Sequence, residues 1–240
     1  MTLPPWISGE AAEGGLGSLI DHTLLKAEAT ADDILRHCDE AMALGVVAVC
    51  VNPQWVTACV RRLSGSRVIV ASVVGFPLGA SGSVAKAVEA RLAAADGARE
   101  LDVVAPIGWI RSGLWAQLGD EFAMVTHAVG DRLVKVILET AVLTPDQIRH
   151  AATLACDAGV GMLKTSTGFH PAGGATPEAV RILREVAGER AGVKASGGIR
   201  RVEDAIMVIR AGANRIGTSA AATWTTALGP GAPPLTELLR

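Results

Sequence analysis

Ala43-Leu44-Gly45-Val46-Val47-Ala48-Val49-Cys50-Val51 carries the pattern that decides the fold: the end of an alanine-rich helical stretch, a glycine, then a β-branched run. The same order returns as Ala95-Asp96-Gly97 before Glu100-Leu101-Asp102-Val103-Val104. It returns again as Asp157-Ala158-Gly159 before Met162-Leu163-Lys164-Thr165, and as Arg210-Ala211-Gly212 before Arg215-Ile216-Gly217. Glycine adopts the left-handed conformation that ends a helix, so each unit reads as helix, C-cap, strand. Helix starts are marked too. Thr30 with Asp33 is a capping-box pattern, Thr144-Pro145-Asp146-Gln147 combines a cap, a first-turn proline and a Gln, and Thr176-Pro177-Glu178 is similar. The helix from Ala31 is expected to bury Ile34, Leu35, Cys38, Ala41 and Met42.

The apolar runs are continuous rather than alternating, which is how strands covered on both faces read. Eight are expected: near Leu19–Leu24, Val46–Val51, Val68–Val74, Leu101–Val104, Leu133–Leu138, Met162–Thr165, Val193–Ser196 and Arg215–Gly217. Helical stretches separate them. Eight strand–helix units in one α/β chain of this length form a single (β/α)8 barrel, the TIM barrel. A doubly wound sheet is disfavoured because no glycine-rich nucleotide fingerprint follows any strand. Residues 1–240 therefore read as one domain, with an N-terminal extension over about 1–15 and a C-terminal tail over about 226–240.

Composition narrows the function. The 240 residues are 50% hydrophobic and 19% charged, with a net charge of −2, so there is no basic surplus for nucleic acid or an anionic membrane. No apolar stretch approaches the ~18 residues that span a bilayer. The N-terminus lacks signal-peptide character, so a cytoplasmic location is expected. Cys38, Cys50, Cys59 and Cys156 show no metal-ligand or redox spacing and read as reduced, buried thiols. The five histidines look scattered, no metal or cofactor is expected, and tyrosine is absent from the chain.

Barrel enzymes react at the C-terminal ends of their strands. Charged residues inside apolar strands need a reason, because burying an unpaired charge is costly. They are Asp21, Asp102, Lys135, Glu139, Lys164 and Lys194. Lys164 and Lys194 end successive strands. At ~5 Å and an effective dielectric of ~20 two ammonium groups repel by ~3 kcal/mol, which lowers a lysine pKa by ~2 units. A neutral lysine attacks carbonyls. Asp102 is placed to balance one lysine and relay protons. Lys135 and Glu139 share a face of the fifth strand by parity and read as supporting charges. Asp21 and Thr23 are candidates to hold substrate hydroxyls, with helix capping as the alternative. Cys50 lies near the site by position. Thr167-Gly168, Ser196-Gly197-Gly198 and Gly217-Thr218-Ser219 suit a phosphate cradle after the last strands.

Eight segments together resemble the deoxyribose-phosphate aldolase family: Ile20–Lys26, Val49–Pro53, Val74–Gly79, Glu100–Val104, Val134–Thr140, Leu163–Phe169, Val193–Ile199 and Arg215–Ser219. The resemblance runs from about Leu19 to Ala220. It implies a metal-free class I aldolase that reversibly cleaves 2-deoxy-D-ribose 5-phosphate to acetaldehyde and D-glyceraldehyde 3-phosphate, in deoxyribonucleotide catabolism. It makes Lys164 the Schiff-base lysine, Lys194 its tuning neighbour and Asp102 the acid–base partner. The implied partners are a small phosphosugar and acetaldehyde, with a homodimer left open. The chain departs from the family pattern at Pro106, where many relatives carry Asn, and at Ala220, where many have a second serine. Two other readings remain at this stage: another phosphosugar barrel enzyme, such as an isomerase or a metal-dependent aldolase, and a non-catalytic phosphosugar-binding barrel.

Overall fold

The computed structural model describes residues 3–7 and 15–239. Most of the expected N-terminal extension lies outside the described residues. Eight strands follow one another around a closed, all-parallel barrel: β1 (Ile20–Leu24), β2 (Ala48–Val51), β3 (Ile69–Val74), β4 (Glu100–Val104), β5 (Leu133–Ile137), β6 (Met162–Lys164), β7 (Gly192–Ser196) and β8 (Arg215–Thr218). The last closes on the first through Ile20–Ile216 and Asp21–Gly217. Each expected strand is present, with boundaries moved by at most two residues. The helices between them are α1 (Ala31–Leu44), α2 (Val56–Arg62), α3 (Ser83–Ala95), α4 (Ile107–Ser112), α5 (Trp115–Val129), α6 (Pro145–Asp157), α7 (Pro177–Ala187) and α8 (Val202–Ala211). None of the described helices is long and apolar enough to cross a membrane.

The local signals act as expected. Thr30 and Thr144 each complete a reciprocal capping box, with Asp33 and Gln147, and Thr176 accepts from the Ala179 amide. Gly45 ends α1 in the left-handed region, at φ 64°. One helix face differs from expectation. α1 buries Ile34, His37, Cys38 and Ala41, while Leu35 and Met42 stand 41% and 36% exposed. The buried stripe is thus narrower than the apolar stripe, and a histidine completes it.

Alternate residues of each strand divide the interior. Outward side chains such as Val49, Val70, Leu101, Val136, Leu163, Val193 and Ile216 join the helices in one large apolar core. Inward side chains form a different space, apolar on β2 and β3 through Cys50, Ala71 and Val73, and charged elsewhere. The C-terminal segment is no loose tail. Helix α9 (Leu235–Leu238) docks through buried Leu235, and Ala227, Leu228 and Leu239 join the same core. The Leu239 carbonyl accepts from Arg210, and the Gly229 amide donates to Leu44.

His22 faces outward from β1 and stacks on His37 of α1, with ring centroids 3.9 Å apart. The histidines are therefore less scattered than their spacing suggests. His22 Nε2 lies 3.1 Å from Glu40 and His37 Nε2 lies 3.1 Å from the His22 carbonyl; both nitrogens are assigned as donors from these partners. Burial pushes the His22 pKa down to about 4 and that of His37 to about 3, so at neutral pH the contact with Glu40 is a hydrogen bond and not an ion pair. Both folded values lie below the ordinary 6.5, so the unfolded chain takes up protons first as pH falls. Their contribution to stability is complete above pH 6.5 and is lost toward pH 4. The expected loss between pH 6 and 4.5 is roughly 2 kcal/mol per pH unit from the two rings together. Urea unfolding across that range measures it. His37→Leu should halve the slope, and an unchanged slope would remove the assignment.

Candidate active site

Seven Asp, Glu, Lys and Arg side chains project into the barrel among the described residues: Asp21 from β1, Glu100 and Asp102 from β4, Lys135 from β5, Lys164 from β6, Lys194 from β7 and Arg215 from β8. They form one connected network. Lys164 Nζ lies 2.7 Å from Asp102 Oδ2, and Lys194 Nζ lies 2.7 Å from the same oxygen. The two lysines are also register partners across β6 and β7. Lys194 makes a second ion pair with Asp21. Lys135 reaches Glu100 at 2.6 Å, Asp102 Oδ1 at 2.8 Å and Asp21 at 3.1 Å. Arg215 closes the lower end, 2.7 Å from Asp21 and 2.8 Å from Glu100.

Four basic groups thus meet three carboxylates, and one proton is in excess if every group is charged. The question is which basic group gives it up. Burial works against charge on every lysine here. For Lys135, the carboxylates Asp102, Asp21 and Glu100 outweigh burial and hold the pKa well above its ordinary value. For Lys194, Asp102 and Asp21 outweigh it as well, and the pKa is raised. Lys164 has a single close carboxylate. Burial lowers its pKa, Asp102 opposes, and Lys194 adds to the lowering. Among the three lysines, Lys164 is the one whose pKa is lowered. Sequence reasoning gave first place to repulsion between the lysines; in the structure burial comes first and repulsion second. Asp102 stays ionised: burial disfavours its charge, but Lys135, Lys164 and Lys194 together hold it well below the carboxylate range.

Above this network lies a cavity of about 280 Å³. Lys164 forms part of its floor, Thr23 and Leu25 one side, and the loops after β6, β7 and β8 the other. Those loops touch backbone to backbone. Gly197, at φ 84°, would place a Cβ 3.1 Å from the Cα atoms of both Gly168 and Gly174, and a Cβ on Gly174 would stand 2.1 Å from the Gly197 carbonyl oxygen. Only glycine allows this approach. Gly168, Gly198, Thr218 and Ser219 line the same side, with Lys26 and Arg200 at its rim. The inward side of β2 and β3 is apolar, with Leu25, Cys50, Ala71 and Val73 in one cluster and Phe76 against it; of these Leu25 lines the cavity, and Cys50 is fully buried behind it. Burial raises the Cys50 thiol pKa, and Asp102 adds to the shift.

Several expected roles change. Asp21 does not line the cavity. It is fully buried one layer below Thr23, its oxygens taken by Lys135, Lys194 and Arg215, so in this structure it serves as their counter-ion. Lys135 and Glu139 do not share a strand face. β5 ends at Ile137 and Glu139 turns into the left-handed region, at φ 54°. Its carboxylate instead receives the Thr167 amide and hydroxyl, which fixes the loop after β6. Gly217 lines the cavity from within β8, as expected, and a Cβ there would meet Ser196 Cβ at 2.9 Å and Lys194 Cε at 3.0 Å. The Thr218 hydroxyl already donates to the Ile199 carbonyl at 2.7 Å. Glu100 and Arg215 were missed because they open their strands, where a charge passes for a loop residue. Parity would have found them, two positions before Asp102 and Gly217. Lys86 was missed on a helix: it shares the buried face of α3 with Ala87, Ala90 and Ala93, and pairs with Glu121 at 2.7 Å.

The comparisons with known proteins agree with this geometry. The DeoC/LacD family aldolase model matches residues 18–223. Deoxyribose-phosphate aldolase of Deinococcus radiodurans is 49% identical over 204 residues, 85% of this chain and 92% of that protein. The enzyme of that name from Mannheimia succiniciproducens is 46% identical over 205 residues, 85% of this chain and 91% of its own. A solved tetrameric deoxyribose phosphate aldolase from Aeropyrum pernix superposes with a TM-score of 0.77 at 34% identity, covering 86% of this chain and 87% of that one. With a family match across most of its length and a closed barrel that carries a buried lysine of lowered pKa beneath a small cavity, the chain belongs to the DeoC/LacD aldolase family.

Proposed function

We propose that Lys164 is the Schiff-base nucleophile of a class I aldolase that reversibly cleaves 2-deoxy-D-ribose 5-phosphate to acetaldehyde and D-glyceraldehyde 3-phosphate. The observation that carries the reading is the single Asp102 oxygen shared by Lys164 and Lys194 at the cavity floor. The neutral Lys164 amine attacks the C1 aldehyde, and loss of water leaves an iminium ion. The C3 hydroxyl then loses its proton as the C2–C3 bond breaks. The bond's electron pair flows into the iminium, releasing glyceraldehyde 3-phosphate and leaving the enamine of acetaldehyde. Protonation at C2 and hydrolysis free acetaldehyde and the lysine. Asp102 and Lys194 lie where these protons move. The glycine loops with Ser219, Lys26 and Arg200 take the phosphate, and the Cys50–Val73 wall takes the two-carbon end.

Reduction with borohydride in the presence of acetaldehyde tests the nucleophile. Mass spectrometry should find an ethyl group on Lys164. An adduct on another lysine, or none during turnover, would overturn the assignment and favour a non-covalent phosphosugar enzyme. Release of acetaldehyde in a coupled assay separates the aldolase from a barrel that only binds. The assembly we propose is a homodimer through Val84, Val88 and Leu92, which α3 turns outward; the Aeropyrum pernix relative is a tetramer. Its proposed location is the cytoplasm, where four unpaired cysteines stay reduced.

A further inference from the structure

We propose that Arg215 and Glu100, at the end of the barrel opposite the substrate cavity, are positioning residues that set the ionisation of the reacting lysine through the charge count of the interior. The inference rests on Lys164 being the nucleophile, as read above.

Neither residue reaches the substrate cavity. Arg215 and Glu100 border a separate opening of about 520 Å³ at the N-terminal mouth, with Arg99, Arg132 and Asp131 around it. They meet through two contacts, at 2.8 and 3.1 Å. Yet both belong to the network that ends at Lys164. Arg215 occupies Asp21 Oδ1, Asp21 Oδ2 holds Lys194, and Lys194 and Lys164 share Asp102 Oδ2. Glu100 holds Lys135, which holds Asp102 Oδ1. With Arg215 present, the interior has one basic group more than it has carboxylates, and Lys164, with only one carboxylate beside it, is the lysine whose proton is held least. Remove the guanidinium, and Lys135, Lys164 and Lys194 stand against Asp21, Glu100 and Asp102. The count then balances with Lys164 protonated. Remove the Glu100 charge instead, and the excess grows.

No other charge inside the barrel competes for this role among the described residues. The groups acting directly on Lys164 are Asp102 from β4, Lys194 from β7 and Cys50 from β2, while Lys135, Asp21, Glu100 and Arg215 reach it through the ion-pair network. β3 contributes only Ala71 and Val73. Lys26 and Arg200 stand at the exposed rim of the cavity, where solvent screens them. Glu139 is committed to Thr167.

The test is the pH dependence of borohydride trapping of the acetaldehyde imine, measured with the cleavage rate. The neutral amine reacts, so the rate rises with pH through the Lys164 pKa. Removing a cation raises that pKa and moves the rising limb to higher pH; removing an anion moves it lower. A charge ~10 Å away at an effective dielectric of ~20 shifts the limb by about one pH unit. Arg215→Met should therefore move the limb up by about one unit, and Glu100→Gln down by a similar amount. The Arg215→Met/Glu100→Gln double variant should return close to the parent profile, and Arg215→Lys should stay there. A merely structural role would weaken both single variants without opposite shifts. If Arg215→Met does not fold, the difference between the Glu100→Gln and double-variant profiles isolates the guanidinium. Coincident limbs, or shifts in one direction, overturn the proposal. Absence of any adduct on Lys164 in the parent protein overturns the nucleophile assignment instead, so the two failures are distinguishable.

Discussion

Lys164→Ala should lower kcat/KM for cleavage of 2-deoxy-D-ribose 5-phosphate by roughly 10⁵-fold, the scale of losing a covalent nucleophile that acts with its neighbours as a unit. The fold should survive. The amine removed is the one of lowered pKa, Asp102 keeps its ion pairs to Lys135 and Lys194, and the remaining groups balance in charge. Deleting the side chain leaves space at the cavity floor, where water can enter. The midpoint of thermal unfolding should fall by no more than about 10 °C, the span of two to three kcal/mol for a domain of this size. The informative result is the pair: a folded protein by circular dichroism, and a progress curve at the background rate. Activity above a few per cent of the parent would end the nucleophile assignment.

Lys194→Leu should be nearly as damaging for a different reason. It removes the cation closest to Lys164 and strips Asp21 and Asp102 of one partner each. Two amines on one oxygen are close enough for a coupling of ~3 kcal/mol at an effective dielectric of ~20. The Lys164 pKa should rise by about two units on that account, so protonation alone costs roughly 100-fold near neutral pH. Loss of a proton donor beside the reacting carbon adds a further 10²–10⁴-fold. The two parts separate by titration. Imine trapping should recover toward pH 9 or above, while turnover should recover only in part. A rising limb that stays where it is in the parent would remove Lys194 from the tuning role. Breaking a buried ion pair costs ~3–5 kcal/mol, so unfolding should be followed alongside.

The sequence made the barrel readable because its cues are local. Capping threonines, positive-φ glycines and doubly covered strands occur unit after unit, and none depends on a distant contact. Lys164, Lys194 and Asp102 were readable for a related reason: a charge within an apolar strand stands out, and consecutive parallel strands are neighbours. What was not readable depends on how far each strand slides past the next. That stagger puts Asp21 one layer below the cavity and not at its wall, and it brings Arg215 within reach of Glu100 across the lower mouth. The parity argument for Glu139 failed where the backbone left the strand at Ile137. The expected burial of Leu35 and Met42 failed because apolar character marks what a helix can bury, not how wide its contact will be. The rank of burial over repulsion at Lys164 needed the packed interior, since a count of charges does not reveal how much water is excluded.

The contact among Gly168, Gly174 and Gly197 constrains how this scaffold can diversify. No side chain can be added there without parting two loops, so backbone fixes the shape of that end of the cavity. Leu25, Cys50, Val73 and Phe76 carry no such restriction, because they shape their wall with side chains whose bulk can change. Descendants of this chain should therefore differ in the carbonyl compound they add and keep the anionic handle on the molecule that receives it. A laboratory library confined to those four positions would sample most of the accessible chemistry, whereas one spread over the glycines would yield mainly unfolded or empty barrels.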